Sequence, residues 1–368
     1  MSYRRFLLVF ALLAALGFAP FGLSMLLVRQ SGEMLTYAQT VDRQLARHAL
    51  FGPAFNADHY LYKCALYDAV RPDVAVVGSS TMIPFRERCF TARFLNCCRT
   101  ADDLPELESF VTHALAVHPP KVMLVGLDFW WFRYKQDPDR RYTPSANPGD
   151  EWSWAKLSRI YTLIARGEAE GRDLGPLVHT LAHGLPPDRI GLMALHDRGF
   201  RPDGSFDYGP AFKVMPDTRQ ELARQMRDLL DAAEERFIRS DRTYDENIRI
   251  VARILERIRA AGTHAVLLFP PVVGELDQEL QRRPTEYGYV PQIFEKLRAA
   301  GIPFADYHDG AALGSDFTEF YDAIHGGDVT MMRLLLDLAG KDGQVAAVLD
   351  RDYLARTVAE HAGVTRLP

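Results

Sequence analysis

The stretch that decides the fold is DVAVVGSSTM, from Asp73 to Met82. Its first five residues are mostly apolar and β-branched, and Gly78, Ser79 and Ser80 follow at once. This pattern predicts a buried strand that ends in a sharp turn and presents a hydroxyl group. Ligands of open α/β sheets bind at the carboxyl ends of the strands, so a serine there is well placed for chemistry. Gly-Ser-Ser is also an ordinary loop tripeptide, and the rest of the chain has to decide between the two interpretations.

Strands alternate with helices along the rest of the chain. Further strands are predicted at residues 94–98, 122–125, 264–269 and 303–305. Helices are predicted over residues 31–50, from Pro84 onward, over 104–117, 155–166, 216–239, 243–261 and 291–300, and after His325. This alternation predicts an α/β fold around a doubly wound, five-stranded parallel sheet with right-handed crossovers. The aromatic segment 51–67 shows no clear period and is expected to be irregular.

The composition is that of a globular protein without affinity for nucleic acid. The 368 residues suit two average domains or one elaborated α/β domain. The hydrophobic fraction is 48%, the charged fraction is 25% and the net charge is −5, so no basic field favours nucleic acid. We expect no cofactor and no metal site, because no cysteines form a Cys-x-x-Cys pair and no histidine spacing suggests zinc.

The four cysteines, Cys64, Cys89, Cys97 and Cys98, lie close together in the sequence. In an oxidising compartment one or two disulfides would be plausible among them, and a Cys97–Cys98 bridge would be the most strained. Three complete pairings exist for four cysteines, and the sequence does not choose among them. Four reduced thiols are the alternative.

The N-terminal region contains a candidate membrane span. Residues 6–28 are 23 residues without a charge, which is long enough to cross a bilayer as a helix. Arg4 and Arg5 precede this run, Arg29 follows it, and together with the free amine they favour an N-terminus on the inner side. The bulk of the chain would then lie outside the cytoplasmic membrane.

A cleaved signal peptide is the rival interpretation of the same residues. Gly17 and Ala19 could imitate a cleavage box, but Pro20 would then begin the mature chain, which is unfavourable for processing. The apolar run also continues to Val28, past the length of a typical signal core. We therefore favour an uncleaved anchor.

A long connection separates the third strand from the fourth. All four tryptophans lie at its start, within residues 129–154. A compact core rarely needs so long a connection, so we predict a cap insertion over about residues 129–240. The expected organisation is an anchor (1–30), a juxtamembrane helix and linker (31–69), an α/β domain with its cap (70–341) and a C-terminal tail (342–368). We expect that tail to hold one short helix and to be exposed.

Aromatic and arginine side chains of the cap are candidate substrate contacts. Aromatic faces suit sugar rings and guanidinium groups suit anions, which makes Trp130, Trp131 and Arg133 candidates. Arg201 is a further candidate and opens the segment RPDGSFDYG, which predicts a β-turn at Asp203-Gly204. Packing of the cap on the sheet, or docking at the membrane interface, is the alternative.

A serine nucleophile needs a base within hydrogen-bond reach and a third group to orient that base. Ser80 follows the first strand, and His325 follows the last strand with Asp322 three residues before it. This offset lets the carboxylate meet the imidazole Nδ1 from one loop and leaves Nε2 for the serine. Because the first and last strands of a doubly wound sheet open on one edge, we expect the three side chains to meet.

Together these blocks resemble the SGNH, or GDSL-type, hydrolase superfamily. Gly78-Ser79-Ser80 matches the Gly-Asp-Ser block, with Ser79 in place of the aspartate and Ser80 as the implied nucleophile. The segment from Asp322 to His325 matches the final Asp-x-x-His block. More narrowly, the chain is similar to the membrane-anchored extracytoplasmic branch, which includes the D-alanyl-lipoteichoic acid transfer protein and the alginate-acetylation proteins.

The resemblance covers residues 70–130 and 262–340, and the two middle blocks depart from the hydrolase pattern. In the family, the second of four conserved sequence blocks offers a backbone N–H to the oxyanion, and this chain has Ala101 at that place. The N–H of Ser80 is the other backbone donor that the resemblance implies. Asp128 stands where the asparagine of the third block would donate. A carboxylate beside a developing oxyanion is repulsive unless it is protonated or turned away.

The resemblance implies an SGNH-like fold with a flavodoxin-like sheet, in a membrane-anchored acyltransferase or esterase. Ser80 would attack an acyl donor, with His325 as base and Asp322 as the group that orients it. The implied substrate is an O-acetyl group on a cell-envelope polysaccharide, and the implied partner is an integral-membrane acyltransferase. The implied location is the bacterial inner membrane, with the catalytic domain in the periplasm. The alternative is a non-catalytic envelope-assembly or glycan-binding protein, which the departing middle blocks and the aromatic cap motivate.

Overall fold

The computed structural model describes residues 3–54, 58–133, 175–209 and 215–367. The helix predicted over residues 155–166 and the tryptophans Trp152 and Trp154 lie outside these ranges. The described residues form two compact units. The first unit comprises the described parts of Met1–Tyr62, Ser145–Pro202 and Phe206–Pro210, and the second comprises the others.

The core of the second unit is a five-stranded sheet in which every strand is parallel. Its strands are β1 (Val74–Gly78), β2 (Phe94–Cys98), β3 (Val122–Gly126), β4 (His264–Phe269) and β5 (Ala305–Asp306). They lie in the order β2-β1-β3-β4-β5. The predicted α/β class and parallel five-stranded sheet are therefore confirmed. Strands β1 to β3 are buried along their whole length, which explains the continuous apolar runs of β1 and β3.

The register of the sheet brings the carboxyl ends of its strands to one edge. Gly78 of β1 pairs with Cys98 of β2, and Gly126 of β3 pairs with Leu268 of β4. The segments that leave the sheet after these residues therefore start side by side. The strand predicted at residues 303–305 is shifted to Ala305–Asp306, since proline at its first position has no N–H for the ladder.

Helices and short turns connect the strands of this unit. Its helices are Leu104–Val117, Arg219–Ala232, Asp245–Ala260, Gly274–Gln281, Pro284–Tyr287, Tyr289–Ala299, Asp328–Lys341, Gly343–Ala346 and Arg351–Glu360. Its 3-10 segments are Ser80–Met82, Glu87–Cys89, Phe129–Phe132, Glu235–Phe237, Gly310–Leu313 and Phe317–Glu319. The boundary between the two units falls inside the helix His59–Val70. The helices at 274–281 and 284–287 are additional to the predicted set, and residues 342–368 hold two short helices instead of the one expected.

Two sequence predictions about local structure were wrong. The segment 51–67 was expected to be irregular, but a helix begins at His59 and buries Tyr62 and Leu66, which are four residues apart on one face. No helix begins at Pro84, which lies between two 3-10 segments. Carbonyl oxygens of that region accept hydrogen bonds from the side chain of Asn96, which is distant in sequence.

The first unit contains a small sheet that the sequence did not predict. Its strands lie in the order Arg189–Ile190, Leu50–Phe51, Arg198–Phe200 and Phe206–Tyr208, and only the first pair is parallel. Its helices are Tyr3–Gln30, Tyr37–Arg47 and Gly175–His183, with a 3-10 segment at Leu192–His196. The buried Glu33 carboxylate accepts hydrogen bonds from the N–H groups of Ala54 and Leu192, both at 2.8 Å. One buried acid therefore joins two distant loops.

The helix predicted over residues 31–50 is shorter than expected. It begins at Tyr37 because the Thr36 hydroxyl accepts a hydrogen bond from the Gln39 N–H, and the Gln39 side chain accepts one from the Thr36 N–H. It ends at Arg47, since His48 adopts a left-handed conformation.

The N-terminal helix Tyr3–Gln30 is long and apolar enough to cross a membrane, as predicted for residues 6–28. Its apolar side chains before Leu23 are mostly exposed, whereas Leu27 and Val28 are buried against Leu192 of the same unit. Among the described helices, no other meets the same criteria of length and composition.

No disulfide joins any of the four cysteines, all of which lie in the described part of the chain. Cys89, Cys97 and Cys98 are buried, and Cys64 is partly exposed. Burial raises the pKa of Cys97 to about 12, with a smaller opposing effect from the nearby Lys63 ammonium. The structure therefore corresponds to the reduced alternative.

The C-terminal tail is docked rather than exposed. After the helices at 343–346 and 351–360, the Leu367 N–H donates to the Asp328 carboxylate at 2.9 Å, and the Leu367 side chain is buried. The Asp328 N–H in turn donates to the Thr365 carbonyl oxygen at 2.8 Å. These two hydrogen bonds hold the tail against the start of helix 328–341, so the prediction of an exposed tail was wrong.

Candidate active site

Two glycines allow the sharp turn that follows β1. Gly78 has φ +147°, and a Cβ there would lie 3.2 Å from the Gly126 carbonyl oxygen of the neighbouring strand. A Cβ on Gly126 would lie 2.5 Å from the Cγ of Met82. Met82 therefore packs directly on the backbone of β3, which holds the turn that carries Ser80 close to the sheet.

The turn itself is a 3-10 segment, Ser80–Met82, with Ser79 as its N-cap. The Ser79 hydroxyl accepts a hydrogen bond from the Thr81 N–H at 3.2 Å and is buried. Ser80 is only half-buried. Of the two adjacent serines, Ser79 therefore shapes the turn and Ser80 presents its hydroxyl at the edge of the sheet.

A buried asparagine on β2 fixes the loop that follows this turn. The Asn96 amide nitrogen lies within hydrogen-bond distance of three carbonyl oxygens, those of Met82 and Ile83 at 3.0 Å and of Phe85 at 2.9 Å. Its amide oxygen accepts a hydrogen bond from the Cys98 N–H at 2.9 Å. These bonds hold the loop around Pro84 in its observed conformation, between two 3-10 segments.

Lys63 forms hydrogen bonds to the backbone of β2. Its Nζ atom donates to the Asn96 carbonyl oxygen at 2.7 Å and to the Gly204 carbonyl oxygen. The side chain is fully buried, and burial lowers the pKa of its ammonium group to about 8. The turn predicted at Asp203-Gly204 is confirmed, with Gly204 at φ +77°.

The loop before helix 328–341 is organised by Asp322. Its Oδ1 atom accepts hydrogen bonds from the N–H groups of Ile324 and His325, both at 2.9 Å. The Ala323 carbonyl oxygen accepts a hydrogen bond from the Val273 N–H at 2.9 Å, which ties the loop to the segment after β4. The aspartate therefore fixes both the backbone of the loop and the position of the histidine.

The three predicted side chains meet at the carboxyl edge of the sheet. Ser80 Oγ lies 2.7 Å from His325 Nε2, although 245 residues separate them in sequence. His325 Nδ1 lies 2.8 Å from both carboxylate oxygens of Asp322. Since a carboxylate only accepts, Nδ1 carries the proton and Nε2 accepts the hydrogen bond of the Ser80 hydroxyl. This is the arrangement of a nucleophile, a base and an orienting acid.

The Asp322 carboxylate is held ionised beside the imidazole. Burial would raise its pKa, but the hydrogen bond and charge of His325 and the two backbone N–H groups outweigh burial and lower the pKa below its usual range. The His325 side chain is 13% exposed and that of Asp322 is 30% exposed. The base is therefore shielded but reachable from solvent.

Asp128, at the third block, lies next to the turn that carries Ser80. Its Oδ1 atom accepts a hydrogen bond from the Thr81 hydroxyl at 3.0 Å, and the Thr81 and Ser79 hydroxyls are 3.1 Å apart. Its Oδ2 atom is buried and has no hydrogen-bond partner among the described residues. Burial raises the pKa of Asp128 to about 6, against the opposing effect of the two hydroxyls.

Apart from Asp128, the predicted hydrogen-bond donors to an oxyanion are two backbone N–H groups. In the part of the chain that the structure describes, neither the Ser80 N–H nor the Ala101 N–H donates to another group. Ala101 is buried and follows the end of β2, at the edge where Ser80 leaves β1. The two N–H groups stay predicted oxyanion donors, whereas Asp128 offers a donor only when it is protonated.

The predicted substrate contacts have other roles in the structure. Trp130 is 7% exposed and Trp131 is 2% exposed, so the rings are packed in the core and not presented to a sugar. The Arg133 guanidinium donates to the Glu235 carbonyl oxygen at 2.5 Å. Arg201 lies in the first unit and pairs with Asp207 at 2.5 Å. For Trp130 and Trp131, the alternative interpretation, packing in the core, agrees with their burial.

No protein-family model, no curated protein and no solved structure matches this chain. The function therefore has to be argued from the site. Two residues that shape it, Thr81 and Asn96, received no role in the sequence analysis. Asn96 carried a usable signal, since a polar amide in the middle of the buried strand FLNCC needs partners.

Proposed function

We propose that this protein is a membrane-anchored acyltransferase or esterase of the SGNH type. The observation that carries the proposal is the 2.7 Å distance between Ser80 Oγ and His325 Nε2, together with the Asp322 pairing at Nδ1. Serine hydroxyls are weak nucleophiles unless an adjacent base removes the proton, and this geometry supplies that base.

The reaction has two steps. The Ser80 oxygen attacks the carbonyl carbon of an acyl donor while its proton passes to His325 Nε2, and the imidazolium is stabilised by Asp322. The leaving alkoxide takes the proton from His325, and the acyl group stays on Ser80 as an ester. A sugar hydroxyl or water then attacks that ester by the reverse sequence of proton transfers, which regenerates the free serine.

The strand order supports the family proposal. In sequence order the sheet runs 2-1-3-4-5, which is the flavodoxin-like order. Within it, Ser80 follows the first strand and the Asp322–His325 loop follows the last, as the resemblance to SGNH proteins requires. The SGNH-like fold is part of the proposal on these grounds.

The apolar helix Tyr3–Gln30 supports an anchor in the bacterial inner membrane. With Arg4 and Arg5 on the cytoplasmic side, the catalytic unit would lie in the periplasm. The proposed substrate class is an O-acyl group, chiefly acetyl, on a cell-envelope polysaccharide. An integral-membrane acyltransferase would supply the acyl group from the cytoplasmic side.

A non-catalytic glycan-binding or envelope-assembly role is the second candidate. Asp128 favours it, because a buried carboxyl group stands where the family has an asparagine donor. The burial of Trp130 and Trp131 speaks against an aromatic sugar platform at those two residues.

Turnover of an aryl acetate and acetyl transfer to a soluble polysaccharide test the proposal. The detergent-solubilised full chain should release the aryl alcohol, and Ser80→Ala should reduce this to the uncatalysed rate with unchanged thermal unfolding. Ser240→Ala, at a partly exposed serine remote in sequence from the triad, is the matched control and should retain full activity. Glycan binding without turnover in wild type would favour the second candidate.

A further inference from the structure

Asp328 joins segments of the second unit that are far apart in sequence. It is the first residue of the helix 328–341 and lies three residues after His325. An acid in the first turn of a helix is ordinarily explained by the helix dipole. This one is only 5% exposed, and a carboxylate so deeply buried needs charged or hydrogen-bonding partners inside the fold.

Two of these partners are arginines of the loop that follows Ser80. The Asp328 Oδ2 atom lies 3.7 Å from Arg86 Nη1 and 4.0 Å from Arg88 Nη2. These are the distances of ion pairs and not of direct hydrogen bonds. Because the Asp328 and Arg86 side chains are both largely buried, their attraction is stronger than that of a surface pair.

The arginine loop is a fixed reference for the rest of the site. The Asn96 amide binds the carbonyl oxygens of Ile83 and Phe85, directly before Arg86. After it, the Cys89 N–H donates to the Arg86 carbonyl oxygen at 3.0 Å. A group that binds Arg86 is therefore attached to the frame that also holds the Ser80 turn.

The loop that carries His325 is closed on itself and ends at Asp328. The Tyr321 N–H donates to the His325 carbonyl oxygen at 2.9 Å, and the Gly327 N–H donates to the Glu319 carbonyl oxygen at 2.7 Å. Bonds of this kind let a loop shift as one piece, so a displacement at Asp328 reaches the imidazole.

Two residues of the C-terminal tail hold the Asp328 carboxylate in place. The Thr365 carbonyl oxygen accepts the Asp328 N–H at 2.8 Å, and the Leu367 N–H donates to Asp328 Oδ2 at 2.9 Å. A Cβ on Gly327 would collide with the Thr365 carbonyl oxygen, so glycine is needed for this close approach. Both the backbone and the carboxylate of Asp328 are thereby fixed.

We propose that Asp328 is a positioning residue of the triad, which sets the distance between Ser80 Oγ and His325 Nε2 by pairing with Arg86 and Arg88. The inference rests on the proposed function, since it concerns the same site. Asp328 acts through the two loops and takes no part in the proton transfers.

Fluorophosphonate labelling of Ser80 in the detergent-solubilised full chain, over a range of probe concentrations, tests this proposal. Asp328→Ala should lower the maximal labelling rate by about 10- to 100-fold with an unchanged half-saturating concentration, because alignment is lost and probe binding is kept. Arg86→Gln should lower the same rate, and the double variant should be no slower than Asp328→Ala. Effects that multiply in the double variant would overturn the proposal.

Asp342→Asn is the matched control, at the other end of the same helix. The Asp342 carboxylate lies 2.7 Å from His264 Nε2 and accepts the Gln344 N–H at 2.9 Å, so it too combines a charged partner with a backbone bond. This variant should lose stability and keep the wild-type labelling rate. Labelling as slow as in Asp328→Ala would show that general destabilisation is the cause and would overturn the proposal.

A crystal structure of Asp328→Ala separates this inference from the proposed function. We expect the distance between Ser80 Oγ and His325 Nε2 to lengthen beyond about 3.5 Å, and a distance that stays at 2.7 Å would overturn the inference. A wild-type chain that is not labelled would contradict the proposed function, and the crystal structure would then decide on Asp328 alone. If Asp328→Ala does not fold, Arg86→Gln takes its place in both measurements with the same expected direction.

Discussion

The Thr81 hydroxyl donates a hydrogen bond to Asp128 Oδ1 at 3.0 Å, one residue after the proposed nucleophile. This bond turns one carboxyl oxygen toward the Ser80 turn, while the other, Oδ2, is buried without a partner among the described residues. Asp128 is thereby placed where its ionisation matters both to the stability of the fold and to any oxyanion formed nearby.

Asp128→Asn should remove a pH dependence of stability. Burial raises the pKa of Asp128 from 3.8 to about 6, so the neutral form is favoured in the folded chain. The corresponding stability is fully present below the unfolded pKa and is lost as pH rises through about 6. We expect wild type and variant to be similar near pH 3.8, and the variant to be more stable at pH 8 by at most about 3 kcal/mol. Denaturant unfolding at several pH values measures the difference.

Asp316→Asn provides a control with the opposite sign. Burial would raise the pKa of Asp316, but the Thr318 hydrogen bonds and the Arg219 charge outweigh it and lower the pKa. Its stabilising effect is present above the unfolded pKa and lost as pH falls, so this variant should lose stability at neutral pH. A stability gain at pH 8 in both variants, or in neither, would contradict the raised pKa of Asp128 as the source of the pH dependence.

Asp322→Asn should slow acyl transfer strongly while leaving the loop folded. The asparagine carbonyl oxygen can still accept the N–H bonds of Ile324 and His325, but an amide cannot stabilise the imidazolium or fix its tautomer. We expect kcat to fall by between about 10²- and 10⁴-fold with little change in KM.

Asp352→Asn is the matched control for this substitution, since Asp352 is an exposed acid in the first turn of the helix Arg351–Glu360. Its kcat should equal that of wild type. A fall of less than threefold in Asp322→Asn would show that Asp322 does not orient the base.

Asn96→Ala should weaken both the fold and the presentation of Ser80. It leaves the carbonyl oxygens of Ile83 and Phe85 without this donor in a buried loop, while that of Met82 keeps the Phe85 N–H. We expect a loss of about 2 to 4 kcal/mol in the free energy of unfolding and slower acylation of Ser80 below the melting temperature.

Asn247→Ala separates general destabilisation from this effect. Asn247 is also buried and donates to the Trp131 carbonyl oxygen at 2.6 Å. It should lose stability without slowing Ser80 acylation at temperatures where the chain is folded. Equal acylation rates in Asn96→Ala and wild type would show that Asn96 stabilises the fold without positioning the turn.

The large sheet could be predicted from sequence because its central strands are buried, mostly apolar runs bounded by proline, glycine or polar residues. The meeting of Ser80, Asp322 and His325 followed from their places after the first and last strands. The small sheet of the first unit could not be predicted, since strands such as Leu50–Phe51 and Arg189–Ile190 are too short to show a period.

Contacts between distant segments explain the other differences. Pro84 has the local signal of a helix start, but the loop around it is held by hydrogen bonds from Asn96 on a neighbouring strand. The burial of Trp130 and Trp131 likewise depends on helices far along the chain, and their aromatic character alone did not distinguish core from substrate platform.

Covalent labelling by a fluorophosphonate probe tests the central claim most directly, because an activated serine attacks the phosphorus of the probe, forms a phosphonate ester and releases fluoride. The folded wild-type chain should be labelled at Ser80, as mapped by peptide mass spectrometry, and His325→Asn should slow labelling by at least about 10²-fold. Ser80→Ala should give no label, whereas Ser240→Ala should be labelled as wild type is. A folded wild-type chain that is not labelled, or an equal label in Ser80→Ala, would contradict the assignment of Ser80 as the nucleophile.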